Sequence, residues 1–127
     1  MKALVLGAGG QLGTELVRLL GPESAVPHAE ISITDAGAVE SLVASRKPDV
    51  VFNCAAYNAV DLAETEKEAA YAINAEGPRI VAAACRRNDA QFVHFSTNFI
   101  FDGAGAEPYV ESDEPAPLSV YGSSKLA

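Results

Sequence analysis

The chain has 127 residues, with 9 lysines and arginines against 17 aspartates and glutamates, a formal net charge of −8 and two cysteines. Its 49% apolar and 20% charged composition is that of a globular protein, at a length that reads as one domain. The acidic balance argues against nucleic-acid or acidic-membrane partners, two cysteines are too few for a disulfide framework or zinc site, and no apolar run approaches membrane-spanning length.

Ala3-Leu4-Val5-Leu6 is a short apolar run suited to a strand buried on both faces. Gly7-Ala8-Gly9-Gly10-Gln11-Leu12-Gly13 follows, leading into a predicted helix whose inner stripe is read as Leu12, Leu16, Leu19 and Leu20. Strand, glycine turn and amphipathic helix is the setting a dinucleotide-binding fingerprint requires. Glycines permit positive φ and close approach of backbone to a diphosphate, and the helix N-terminus favours its charge. The spacing is G-x-x-G-x-x-G, with Gly9 adding a G-x-G step, and a ligand-free βα turn is the plainer reading of the same residues.

Ser24 to Pro27 is a poor strand candidate, weakened by its proline. Thr34-Asp35 offers an N-cap for a helix from Ala36 to Arg46, with Val39, Leu42 and Val43 inward. Val50 to Cys54 reads as a second buried strand, Ala55 to Val60 as a loop, and Asp61 to about Asn88 as helical, interrupted or restarted at Gly77-Pro78. Ile80, Val81, Ala84 and Cys85 supply the inner face of that last helix, and Gln91 to Ser96 is the next strand. Thr97 to Ser119 is a long segment rich in Gly, Pro and acidic residues, of the kind that is functional or disordered. The alternation predicts a Rossmann-type α/β fold: a doubly wound parallel sheet with helices on both faces. Cys54 and Cys85 are expected as buried free thiols. With no signal-peptide pattern, the expectation is a cytoplasmic protein.

The closing Tyr121-Gly122-Ser123-Ser124-Lys125 puts a phenol and an amine one helical turn apart on a shared face. A nearby ammonium lowers a phenol's pKa from its ordinary value of about 10, giving a proton donor usable near neutral pH. Taken alone, the pair is equally a surface tyrosine and lysine. His94 reads as a semi-buried strand histidine, Asn74 equally as a helix cap before Gly77-Pro78 or as a residue near the active site, and Glu64 to Glu68 as a solvated helix face. Asp102, Glu111, Asp113 and Glu114 read as a solvated acidic loop.

Together, the blocks GAGGQLG, KPDVVFNCAAYNAVDLAE, AINAEGP, HFSTNFIFDG and PYVESDEPAPLSVYGSSKLA resemble the extended short-chain dehydrogenase/reductases. Within these they are most similar to the dTDP-4-dehydrorhamnose reductase family. The resemblance implies hydride transfer from NADPH or NADH to the C4 ketone of dTDP-4-dehydro-6-deoxy-L-mannose, yielding dTDP-L-rhamnose. It implies Tyr121 as catalytic acid, Lys125 as the partner that lowers its pKa and holds the nicotinamide ribose, and Thr97 as the hydroxyl orienting the carbonyl. Gly7, Gly10, Gln11 and Leu12 match its pyrophosphate loop, Ala55, Ala56 and Tyr57 its adenosine-ribose side, and Ser32 and Ile33 a further cofactor-contacting segment. Asn98 and Phe99, with Thr97, match its substrate side.

The chain departs from that pattern in places. Asn98 and Phe99 stand where the family usually reads Asp-Tyr, and Ser32 stands where relatives carry a carboxylate. Pro27 to Glu30 carries no clear ribose-binding acid or phosphate-binding base, with His28 and Glu30 the only candidates, so NADH and NADPH stay open. Some members need Mg2+, although no metal-ligand cluster is recognisable. Relatives continue past the Tyr121 helix into further strands and a substrate domain, so residues 1–127 read as a truncated cofactor-binding domain lacking that C-terminal part. A dTDP-sugar partner is implied, and an unfinished sheet edge predicts association as a homodimer. A non-catalytic dinucleotide-binding or regulatory module, and another nucleotide-sugar reductase or epimerase, are the alternative readings.

Overall fold

In a computed structural model describing residues 1–127, the sheet is built outward from Ala3–Leu6 (β1), every residue of which is buried. Ala25–Val26 (β2) pairs on one side of it; Val50–Asn53 (β3) and then Gln91–His94 (β4) pair on the other, all parallel, in the order β2-β1-β3-β4. Leu4, Val5, Leu6, Val26 and Val51 are almost wholly sequestered, which explains their continuous apolar character: a parallel strand is covered on both faces. By the usual right-handed rule for parallel crossovers, the helix Gln11–Leu20 (α1) lies on one face of the sheet. Ala36–Arg46 (α2) and Gly77–Arg87 (α5) lie on the other, where Arg87 binds Glu40 through its guanidinium and Asn88 donates to the same carboxylate at 3.0 Å. This doubly wound arrangement is the Rossmann-type architecture expected. It occupies residues 1–56 and 76–95, one of two compact units; the other comprises 57–75 and 96–127.

Asp35 caps α2 as its position predicts, accepting the Ala38 N–H at 2.9 Å. Pro78 stands in the first turn of α5, and Ile80, Val81, Ala84 and Cys85 are buried as read. The stripe of α1 differs from the expectation: Leu12 is 43% and Leu19 69% exposed, while Gly13 is buried. The inward face is Gly13, Leu16, Val17 and Leu20, so Leu16 and Leu20 are inward as read while Gly13 and Val17 take the places of Leu12 and Leu19. Its innermost point is a glycine, which a search for apolar side chains overlooks.

Both cysteines are free. Burial pushes the Cys85 thiol up to about 11 and raises that of Cys54.

In the second unit, Val60–Ala63 (α3) and Lys67–Tyr71 (α4) replace the continuous helix expected after Asp61. The break has a local cause, since the Thr65 hydroxyl and the Thr65 and Glu66 amides all converge on the Leu62 carbonyl. A π-helical turn, Ala72–Glu76, then leads into α5. Thr97 to Ser119 holds only a 3₁₀ turn, Asn98–Ile100, before the short helix Val120–Leu126 (α6). The acidic loop is less passive than predicted. Asp102 accepts from Ala104 N–H and the Tyr109 hydroxyl, and Asp113 accepts from Val110 N–H. The two donors to Asp102, the amide first, hold its carboxyl below the ordinary pKa.

Candidate functional site

The strand order reverses between β1 and β3, and a Rossmann sheet binds ligands at the carboxyl ends of its strands at such a switch point. Gly7 follows β1 there with φ +74°, and a Cβ on it would stand 2.6 Å from the Ala55 nitrogen. A Cβ on Gly13 would lie 2.3 Å from the Gly7 carbonyl oxygen, so α1 enters the turn at a distance that only glycine allows. Gly9 faces open space, where an added Cβ would meet nothing within 4 Å, and Gly10 begins α1 with no side-chain cap. Because Thr14 N–H makes the first intrahelical bond, to Gly10 O at 2.9 Å, the amides of Gln11 and Leu12 have no helical acceptor. Both residues are exposed and no acidic side chain lies in that first turn. Glycine-walled space in front of free N–H groups at a ten-residue helix suits a diphosphate. Ala55 and Ala56, expected on the adenosine-ribose side, follow β3 and are half-buried. Ser32 bonds the Thr34 hydroxyl at 2.8 Å, and the Ile33 side chain is part of the core.

The second unit gathers Thr97, Asn98, Phe99, Tyr121, Lys125 and Tyr57. Tyr121 and Lys125 are one turn apart on α6, whose N-terminus is capped by Ser119, its hydroxyl accepting the Gly122 N–H at 3.0 Å. Helix α6 docks on the 3₁₀ turn at Gly122, where a Cβ would be 2.3 Å from the Phe99 carbonyl oxygen. The Phe99 ring meets Tyr121 edge-on at 5.7 Å, and Thr97 accepts the Phe99 N–H at 3.2 Å. These contacts tie Thr97, Phe99 and Tyr121 into one packed group. Burial lowers the pKa of the half-buried Lys125, because desolvation favours the neutral amine.

Asn74, Glu64 and Glu66 organise this group. Asn74, only 3% exposed, is not a helix cap. Its amide accepts from Tyr57 N–H at 2.8 Å and donates to both the Tyr57 carbonyl and the Ser124 hydroxyl at 3.0 Å. Ser124 in turn donates to the Tyr121 carbonyl at 2.8 Å. Glu64 accepts the Val120 N–H at 2.8 Å and Glu66 accepts the Tyr57 hydroxyl at 2.6 Å, so neither is simply a solvated helix charge. Glu64 and Val120 are 56 residues apart, and no local pattern announces such a pairing.

The Glu66 hydrogen bond, with burial and the carboxylate's charge adding to it, pushes the Tyr57 phenol up to about 12. A raised phenol pKa means that this contact stabilises the fold below the ordinary value of about 10 and is lost as pH climbs toward the raised value. Alkaline titration followed by phenolate absorbance will therefore show one of the four tyrosines ionising late. Glu66→Gln will bring it back toward the ordinary range, and an unchanged titration would refute the assignment.

No group of three or more His, Cys, Asp or Glu side chains is placed to hold a metal ion, and no helix is long and apolar enough to cross a membrane.

A family model described as the RmlD substrate binding domain matches residues 1–127. The chain belongs to this family. RmlD-family relatives include the dTDP-4-dehydrorhamnose reductases of Burkholderia thailandensis, 46% identical over 99% of this chain and 43% of that protein, and of Streptomyces griseus, 47% identical over 98% and 42%. The chain thus spans less than half the length of these curated relatives. The crystal structure of the Bacillus anthracis dTDP-4-dehydrorhamnose reductase in complex with NADP superposes with a TM-score of 0.93 at 39% identity, covering 99% of this RmlD-family chain and 47% of that one. The Bordetella bronchiseptica enzyme WbmG in complex with NAD and UDP gives 0.85 at 25% identity, over 98% and 46%.

Proposed function

We propose that this RmlD-family chain serves the NADPH- or NADH-dependent reduction of the C4 ketone of dTDP-4-dehydro-6-deoxy-L-mannose to dTDP-L-rhamnose. The observation that carries the reading is the docked helix α6, which presents Tyr121 and Lys125 on one face with Lys125 half-buried. A reduced nicotinamide, when bound, supplies the hydride. Gly7, Gly10 and the amides of Gln11 and Leu12 receive the diphosphate, while Ala55, Ala56, Tyr57, Ser32 and Ile33 line the nucleoside side, Ile33 through its backbone. Thr97 donates to the ketone oxygen, with Asn98 and Phe99 beside the sugar. Tyr121 gives its proton to the alkoxide as it forms, and Lys125 favours the phenolate left behind. A cytoplasmic location, a dTDP-sugar substrate and a homodimeric state accompany this reading as expectations.

The test is a titration with NADPH and NADH followed by cofactor fluorescence, then cofactor oxidation in the presence of dTDP-4-dehydrorhamnose. Saturable binding with sugar-dependent oxidation is the expected result. Binding without oxidation would make the chain a non-catalytic dinucleotide-binding module, and absence of both would overturn the reading.

A further inference from the structure

We propose that His94 is a positioning residue for the nucleotide cofactor, acting through Asn53 on the turn that packs against the glycine loop. The proposal rests on the reading that this loop receives a dinucleotide. Strand register supplies the frame: Leu6 pairs with Asn53, and Asn53 pairs with His94, so the three form one row across the carboxyl end of the sheet. Asn53 is only 1% exposed, and a buried carboxamide must satisfy both of its ends within the protein. Its Oδ1 accepts the Ala55 N–H at 3.2 Å. The Nδ2 end therefore faces His94 Nδ1, 3.3 Å away. A donor on that side requires an accepting Nδ1, which fixes the imidazole as the tautomer with its proton on Nε2. The ring lies parallel to that of Phe92, with centroids 5.9 Å apart, which holds its plane.

The consequence passes along the row. Ala55 is the residue a Cβ on Gly7 would strike, at 2.6 Å from its nitrogen and 2.9 Å from its Cα, so the Cys54–Ala56 turn and the Gly7 backbone are in tight contact. Gly7 O in turn accepts the Gly10 N–H at 3.1 Å and limits how closely Gly13 can approach. Any rotation of the Asn53 amide releases Ala55, and with it the backbone packed against Gly7 at the start of the glycine loop. An apolar residue could fill the same volume at the end of β4. What the imidazole adds is an acceptor for the second end of a buried amide whose first end sets the turn.

The experiment compares the unsubstituted chain with His94→Phe, which keeps a ring to stack on Phe92, and His94→Gln, whose Oε1 restores an acceptor. NADPH affinity and the exchange rate of the Ala55 amide are read by fluorescence and NMR. His94→Phe is expected to weaken NADPH binding about tenfold, the scale of one lost hydrogen bond, and to speed Ala55 exchange. His94→Gln is expected to restore both. Unchanged Ala55 exchange in the phenylalanine variant, or equal losses in the two variants, would overturn the proposal while leaving the dinucleotide reading intact. Failure of the unsubstituted chain to bind NADPH would overturn that reading and this proposal with it. Should His94→Phe not fold, the nitrogen chemical shifts of His94 in the unsubstituted chain decide the matter. An unprotonated Nδ1 is expected, and a protonated Nδ1 would overturn the proposal.

Discussion

Replacing Gly13 with alanine will loosen α1 from the sheet and, under the proposed function, abolish NADPH binding. The added methyl would sit 2.3 Å from the Gly7 carbonyl oxygen and 2.9 Å from the Ala8 Cα. Both neighbours are backbone, in a turn closed by the Gly10-to-Gly7 hydrogen bond at 3.1 Å, so no side chain can swing away to make room. Overpacking of this kind costs about 3 kcal/mol, which for a domain of this size lowers Tm by roughly 10–15 °C. Gly9 is the internal control: a methyl there meets nothing within 4 Å, so Gly9→Ala will change stability by less than about 1 kcal/mol. If the open space before Gly9 is where the diphosphate sits, that variant will nevertheless bind NADPH more weakly. Thermal denaturation and NADPH titration of the pair decide it; a Gly13→Ala protein as stable as Gly9→Ala would mean that the close approach of α1 to the turn is not what holds the helix.

Under the proposed reduction, Tyr121→Phe will lower kcat by about 10²–10⁴-fold, the usual scale for loss of a positioned proton donor. The phenylalanine ring retains the edge-on packing against Phe99, so folding and NADPH affinity will change little. Only the hydroxyl is lost, and the affected quantity is the step in which the ketone oxygen takes a proton. Turnover above about a tenth of the unsubstituted rate would remove Tyr121 from the acid's role. A protein in which Tyr121 has no part in the proton transfer would show no change in kcat.

Elements governed by local chemistry are legible from the residues. The apolar run of β1, the Asp35 cap of α2, the proline at the start of α5 and the glycine turn after β1 each carry their own sequence signal, and each stands where that signal puts it. Sequence and structure part where a contact that the apolar pattern does not register decides the outcome. The leucine pattern places Leu16 and Leu20 of α1 correctly but takes in Leu12 and Leu19, because the deepest member, Gly13, has no side chain to count. Helical composition after Asp61 overstates the length of the helix because hydrogen bonds returning to the Leu62 carbonyl break it. Within the candidate site, the spacing of Tyr121 and Lys125 is visible in the sequence, while its supports are not. Asn74 reaches Ser124 across 50 residues and Glu64 reaches Val120 across 56, and neither pairing follows from period or propensity.

Helix α6 has only seven residues, fewer than an isolated helix needs to persist in water. Its first amide is held by Glu64, its second turn by Asn74 through Ser124, and its side by the Phe99 carbonyl facing Gly122. Ser119 caps the helix locally, but each of these other partners comes from elsewhere in the chain. Its helicity therefore depends on the rest of the second unit, and the one-turn spacing of Tyr121 and Lys125 depends on it too. A change at Glu64, Asn74 or Phe99 would therefore disturb the alignment of Tyr121 and Lys125 without touching either residue.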